Sequence, residues 1–281
     1  MNTQAFSLLS DFSLLEVSGP DAERFLQGQL TCDVAKLPIG HWTLGACCTA
    51  KGRMVANFVI ARTDSGFWLR LPRERVSTLM SHLAKYAVFF KAKMIDQSSQ
   101  YAVLGKVPSA LHPKLLSEPL PITQISADFQ LTWLDGRIEH WLPITEVSLA
   151  NADDGSWAQA DLALGLVWVS AQSHEAWVPQ HIDWQKQGGV SFKKGCYTGQ
   201  EIVARLEFLG KAKKQLMKLH SSTPCNAMPT ENLQDAQGNN LGEVLAWQGT
   251  EGLGSVAEGH SLAFWQGQPL TIEPLFYAQS L

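Results

Sequence analysis

The sequence has little that would tie it to a membrane, an oxidising compartment or a bulk polyanion. No stretch of its 281 residues approaches the roughly 20 consecutive apolar residues that a membrane-spanning helix needs. The opening MNTQAFSLLSDFSLLEV has neither a basic region nor a long apolar run, so it does not read as a secretory signal. Cysteine is sparse and odd in number: Cys32, Cys47, Cys48, Cys196 and Cys225, with no C-x-x-C among them. That argues against a disulfide framework and against a zinc or cluster-binding ribbon, and no metal site is expected. Cys47 and Cys48 are adjacent, so on a strand they point to opposite faces and do not readily hold one ion together. An excess of positive charge is also missing. Lys and Arg number 22 against 26 Asp and Glu, a net charge of −4, which implies no general attraction to nucleic acid. There are no internal repeats and no low-complexity segments. These absences together predict a cytoplasmic protein. What is present is 45% hydrophobic and 17% charged, the make-up of a globular chain long enough for a large core and two or three subdomains.

The densest concentration of chemistry is SFKKGCYTGQEIVARL, Ser191 to Leu206. The run is too polar for a core strand and too rich in glycine to be helical throughout. Its second half reads as a helix. Thr198 is a candidate N-cap with Glu201 three residues later, the capping-box spacing. Ile202, Val203, Leu206 and Leu209 follow at helical intervals, and Gly210 is placed to stop the helix. Cys196 therefore falls in a tight turn just ahead of a helix N-terminus, with Lys193 and Lys194 beside it. A nearby ammonium and a helix N-terminus both favour a thiolate, the nucleophilic form of cysteine. Gly195 and Gly199 leave room for a ligand to approach the backbone. A buried, inert cysteine beside a glycine turn stands as the plain alternative. Lys193, Lys194, Arg205, Lys211, Lys213, Lys214 and Lys218 fall within one segment, which reads first as a solvated face.

The rest of the chain supplies a scaffold. Residues 11–17, 42–49, 54–62, 67–71, 88–95, 101–107, 129–133 and 138–142 read as strands, with hairpin turns at Gly52 and at Asp135–Gly136. Helices are expected from Asp21, from Pro72 to about Ala87, and after an N-cap at Asp154 or Ser156. Residues 108–121 hold four prolines and read as a connection. Strands and helices alternate without a βαβ rhythm, which predicts an α+β fold with antiparallel sheets. Beyond Gly210 the pattern changes to short strands separated by Gly, Asn and Pro turns, the signature of a small β-barrel or sandwich.

The run KGCYTGQE, Lys194 to Glu201, resembles the signature K-G-C-Y-x-G-Q-E of the YgfZ family. Further likenesses are GPDAERFLQGQLTCDV near the start, Val178-Pro179-Gln180, Gly188-Gly189-Val190 and Ile272-Glu273-Pro274. The resemblance implies an aminomethyltransferase-like folate-binding fold of three subdomains around a central pocket, related to the T-protein of glycine cleavage. It divides the chain into a folate-binding domain of residues 1–41 plus 121–209, an inserted α+β subdomain of residues 42–120, and a C-terminal β-barrel of residues 210–281.

The function it implies is binding of tetrahydrofolate in support of tRNA modification and of the synthesis or repair of iron–sulfur enzymes. Partners would then be a reduced folate and cluster enzymes such as those that thiolate tRNA. Direct contact with tRNA is not implied, since that link can run wholly through such enzymes. Cys196 would be the reactive group with Lys194 tuning it, within a motif of Lys194, Gly195, Cys196, Tyr197, Gly199, Gln200 and Glu201. Phe12 and Trp157 would line the folate pocket, and Gln27 and Gln29 could contact a ligand.

One departure is informative. Where the related T-proteins place a catalytic aspartate, this sequence has Asn57, which cannot act as a carboxylate base. That counts against glycine-cleavage activity. A folate-dependent one-carbon transferase and a non-enzymatic docking module remain as alternatives, and the residues leave open whether the chain is an enzyme.

Overall fold

A computed structural model describes residues 6–125, 128–147, 150–210 and 214–278; Lys211 and Lys213 of the lysine-rich segment lie outside the described residues. Eleven strands form one large sheet, and six more close into a barrel. The strands of the sheet are β1 (Ser7–Leu8), β2 (Phe12–Ser18), β3 (His41–Cys48), β4 (Met54–Thr63), β5 (Gly66–Pro72), β6 (Lys93–Asp96), β7 (Tyr101–Lys106), β8 (Leu120–Ile125), β9 (Asp128–Thr132), β10 (Ile138–Pro143) and β11 (Asn151–Ala152). Their order is β11-β1-β7-β10-β9-β8-β3-β4-β5-β2-β6, antiparallel except for the short β1–β11 pair. Helices α1 (Ala22–Gln27), α2 (Val76–Ala87), α3 (Ser156–Leu164) and α4 (Gln200–Leu209) complete this part. The barrel is built from β12 (Lys214–Ser221), β13 (Asn232–Gln234), β14 (Asn240–Gln248), β15 (Glu251–Ala257), β16 (Leu262–Trp265) and β17 (Gln268–Pro274). Among the described residues no helix is long and apolar enough to cross a membrane.

Strand β4 shows why MVANFVIA reads as an unbroken apolar run: it is buried on both faces. Ala56, Phe58 and Ile60 point into one core with Phe25, Leu26, Val76, Leu79 and Leu83 of α1 and α2. The alternate residues Val59 and Ala61 point into a second, larger core, which Met54 joins beyond the register shift at Cys47–Cys48. That second core holds seven of the ten tryptophans, Trp42, Trp68, Trp133, Trp141, Trp157, Trp177 and Trp184. Asn57 falls on this second face by the two-residue period of the strand.

Several local expectations shift. Pro72 ends β5 instead of opening α2; a 3-10 turn, Arg73–Arg75, comes between. Strand pairing also runs through residues 41 and 42. β2 pairs with β5 and β6, so the first forty residues share a sheet with the segment expected to be an insertion.

Candidate functional site

The motif turn is held by a segment lying more than a hundred and fifty residues earlier. The Thr198 N–H donates to the Gly28 carbonyl at 3.1 Å and the Ser191 N–H to the Thr31 carbonyl at 2.9 Å. The Lys194 ammonium lies between them, buried to 8% exposure. Its three protons go to the carbonyls of Gln27 at 2.8 Å, Leu30 at 2.6 Å and Cys32 at 2.8 Å. Burial lowers its pKa to about 8, with Cys32 and Asp33 acting in the opposite direction. All three donors are thus engaged on backbone and none reaches the Cys196 sulfur. The tuning role expected of Lys194 gives way to an anchoring one.

Thr198 does not cap α4. Its hydroxyl meets Gln29 Oε1 at 3.0 Å, and the N-cap is Gly199 in a left-handed conformation, φ +86°. Glycine is required there twice over. Positive φ disfavours any side chain, and a Cβ would collide with the Thr49 carbonyl and stand 3.1 Å from Gly52 Cα, in the β3–β4 turn. Gly210 ends α4 in an extended conformation, φ −78°, not the left-handed one expected. Gln27 and Gln29 are internal fasteners. Gln27 bridges Asp33 and the Ala35 N–H, and Gln29 takes the Thr198 hydroxyl.

Against this fixed base, Cys196 is exposed and Gly195 has open space around it. Tyr197 turns inward, 7% exposed, and its hydroxyl has no partner among the described residues. Burial, with the Cys48 thiol as the next cause, raises its pKa. Cys32, Cys47 and Cys48 are buried, and Cys225 is half-buried. All five cysteines are free. No group of three or more His, Cys, Asp or Glu gathers among the described residues to hold a metal ion.

The second core also carries buried charge. Arg70 and Glu139 are fully buried and paired, Nε–Oε1 2.8 Å and Nη2–Oε2 3.1 Å. Glu139 also accepts from Trp133 Nε1 at 3.1 Å and Trp141 Nε1 at 2.6 Å. Arg137 bridges Asp135 at 2.7 Å and Asp161 at 2.6 Å. The available signal was an arginine inside GFWLRLP and a glutamate inside IEHWLP, charges placed within otherwise apolar strands.

Phe12 and Trp157 lie against the two arginines. The Arg70 guanidinium sits 4.2 Å from the half-buried Phe12 ring and 4.4 Å from Trp168. Trp157 is 2% exposed, with Arg137 4.4 Å from its ring, Trp133 edge-on at 6.1 Å and Gly105 against it. A pterin ring needs flat faces and donors for its carbonyl and ring nitrogens. Arg70 Nη1 is a buried donor without a partner among the described residues, so donor and ring types at Phe12, Arg70 and Trp168 match that need, but both rings already carry the Arg70 guanidinium and stacking there requires it to move. Trp157 offers no open face. The cavity near it, between Trp42, Trp133, Leu164 and Gln187, is about 10 Å³, room for one water, and stacking there requires Trp133 and Arg137 to move.

Asn57 is closed off as well. It is fully buried, its Nδ2 donates to the Val167 carbonyl at 2.7 Å, and its Oδ1 accepts the Val169 N–H at 2.8 Å. The side chain completes the backbone hydrogen bonding of residues 167–169 and does not face a ligand.

Comparison with known proteins places this architecture. Residues 6–107 match the family model described as the GCVT N-terminal domain. The fold is similar to that of glycine cleavage system aminomethyltransferase T from Bartonella henselae, with a TM-score of 0.70, 15% identity, and coverage of 97% of this chain and 86% of that one. The protein is thus of the aminomethyltransferase-like class, α+β with a C-terminal β-barrel. Within that class, it is 34% identical over 260 residues to the tRNA-modifying protein YgfZ of Klebsiella pneumoniae, covering 85% of this chain and 79% of that protein. To the protein of the same name from Escherichia fergusonii it is 33% identical over 259 residues, with the same coverage. The chain belongs to the YgfZ family.

Proposed function

We propose that the protein binds a reduced folate, tetrahydrofolate, and supports tRNA modification through the iron–sulfur enzymes that carry it out, with Cys196 as its reactive group. The observation that carries this reading is the contrast at the motif. One thiol is exposed on a turn whose neighbours are each fastened, by the Lys194 cage, the inward Tyr197 and the Gly199–Gly52 contact. A docking module has no need of a rigidly presented thiol. The names of the relatives, tRNA-modifying proteins, support the tRNA part. The match to the GCVT N-terminal domain supports folate as the cofactor class. Phe12 and Trp168 would hold the pterin, with Arg70 Nη1 supplying a hydrogen bond to an acceptor atom of the ring; Trp157 would join them once Trp133 and Arg137 move. One-carbon transfer of the glycine-cleavage kind is disfavoured, because Asn57 replaces the carboxylate and both its polar atoms are engaged.

The test has two parts. Calorimetric titration with tetrahydrofolate should show saturable binding that Phe12→Ala weakens by about 1–3 kcal/mol, the range for loss of an aromatic stacking partner. No saturable binding would remove folate from the reading. A deletion strain should show reduced tRNA thiolation and reduced cluster-enzyme activity, restored by wild type and not by Cys196→Ala. Full restoration by Cys196→Ala would return the protein to the docking class.

A further inference from the structure

The turn that follows α2 leaves two large apolar side chains in solvent. Val88 is 76% exposed and Phe89 88%. Their chain neighbours turn inward: Tyr86, Ala87, Phe90, Ala92 and Met94 pack against the first core. The Phe90 ring lies 5.3 Å from that of Phe25. The turn is also tied to the start of α1, where Asp21 Oδ2 accepts the Lys91 N–H at 2.8 Å and the Asp21 N–H donates to the Lys91 carbonyl at 3.3 Å. A lone exposed apolar side chain is ordinary. Here two adjacent ones form a tip on a turn that is fastened on its far side, and they join neither core.

The tip is flanked by cations. Lys85 shares its face of α2 by helical spacing, Lys91 and Lys93 follow it in the chain, and the Arg24 guanidinium lies 5.1 Å from the Phe90 ring. All four are exposed, and none is in an ion pair among the described residues. The carboxylates nearest in the chain are engaged elsewhere. Asp21 holds the Lys91 N–H, Glu23 pairs with Arg62 at 2.6 Å, and Asp96 accepts the Ser98 N–H at 2.9 Å. Helix α2 itself carries no acidic residue. A chain of net charge −4 thus presents an apolar tip among four cations without carboxylate partners.

We infer that this tip docks on an anionic phospholipid surface, with Val88 and Phe89 entering the boundary between headgroups and acyl chains and Lys85, Lys91, Lys93 and Arg24 meeting the lipid phosphates. Contact of this kind needs an apolar insertion with cations beside it. It is distinct from spanning, for which no helix among the described residues is long and apolar enough. A nucleic acid matches the cations and can stack on Phe89, but it leaves Val88 without a role. An acidic protein has to bring a pocket for both side chains. The net negative charge of the chain keeps its other faces off an anionic surface, so contact is confined to the end of α2. None of these residues belongs to the Phe12–Arg70–Trp168 group or to the Cys196 turn, so the folate and thiol readings stand or fall separately.

The experiment is co-sedimentation of the full chain, at low salt, with vesicles of phosphatidylglycerol mixed into phosphatidylcholine and with vesicles of phosphatidylcholine alone. The protein should pellet with the first and not with the second, and added salt should release it. Phe89→Ser should weaken the partition about tenfold, the effect of withdrawing one aromatic side chain from an apolar phase. Joint replacement of Lys85, Lys91 and Lys93 by Gln should weaken it about a hundredfold, at about fivefold for each cation. These side chains are exposed, so both variants should keep the wild-type thermal midpoint. Phe208→Ser removes another exposed aromatic, on α4, and should leave the partition unchanged. Absence of pelleting at millimolar lipid overturns the inference. So does equal pelleting with phosphatidylcholine alone, and so does an equal loss from Phe208→Ser. A gel shift of tRNA that the same variants abolish, with no vesicle binding, makes the patch a nucleic-acid surface and overturns the lipid reading. Dimerisation that Phe89→Ser abolishes, with no vesicle binding, assigns the tip to a second copy of the chain and overturns it likewise.

Discussion

Replacing Lys194 by methionine is the perturbation that separates anchoring from thiol tuning. The ammonium makes three hydrogen bonds of 2.6–2.8 Å to Gln27, Leu30 and Cys32. Hydrogen bonds to a charged group are worth about 1.5–3 kcal/mol each, a gross contribution of about 5–9 kcal/mol. Burial of the charge acts the other way. The fall in pKa from 10.5 to about 8 corresponds to about 3 kcal/mol against the charged form. The net loss expected for Lys194→Met is therefore about 2–6 kcal/mol, comparable with removal of one partner from a buried charged pair. Urea unfolding at pH 7 measures it, with Lys193→Met as the control. Lys193 is exposed, and its replacement should stay within about 0.5 kcal/mol of wild type. Equal stability of the two variants would refute the cage as an anchor and return Lys194 to direct chemistry at the motif.

Four further outcomes follow from the same geometry. Under native conditions iodoacetamide should label Cys196 first. Cys32 and Cys48 are buried with thiol pKa values raised by burial to about 11 and about 12, and Cys225 is raised in the same direction; mass spectrometry that finds Cys196 unlabelled until unfolding contradicts its exposure. Gly199→Ala should destabilise by more than about 2 kcal/mol, since it combines a positive φ with a clash against the Thr49 carbonyl, and an unchanged thermal midpoint would remove the Gly199–Gly52 contact from the argument. Asn57→Asp should lower stability by about 2–4 kcal/mol, because an aspartate cannot donate to Val167 and its charge would be buried, and it should bring no methylene transfer in a reconstituted glycine cleavage assay. Raising the pH from 8 to 10.5 should widen the stability gap between wild type and Lys194→Met. In that window the unfolded chain holds the Lys194 proton and the folded chain releases it, so stability from this group rises with pH; a constant gap in urea titrations would exclude that linkage.

How much of this was legible in the sequence depends on the range of the interaction. The Gly52 and Gly136 hairpins and the change to short strands after Gly210 rest on local pattern, and they stand where the pattern put them; that those strands close into a six-stranded barrel comes from the structure. Thr198 shows the limit of local pattern. Its spacing to Glu201 is right for a capping box, yet its hydroxyl goes to Gln29, because the loop from Gly28 to Thr31 lies alongside the motif. The two runs that carry the family likeness, FLQGQLTCDV and KGCYTGQE, are in fact one structure, and neither shows this alone. Trp157 shows a second limit. An indole ahead of the motif suggests a stacking surface, but the Arg137 that covers it arrives from the turn between β9 and β10 and is held by Asp135 and Asp161.

Asn57 joins the two kinds of evidence. From the sequence it is a missing carboxylate; from the structure it is a gained donor. An amide matches one carbonyl and one N–H of an adjacent extended segment, which a carboxylate cannot do, and Asn57 does so with Val167 and Val169. The segment thus fastened leads from α3 past Trp168, whose ring packs on Arg70 and edge-on against Phe12 at 5.7 Å. Asn57 therefore fastens the segment that carries the aromatic neighbour of Phe12. The aromatic group around Arg70 and the one exposed thiol among the buried and half-buried cysteines are thus held by separate fastenings, the first through Asn57 and the second through the anchored motif turn.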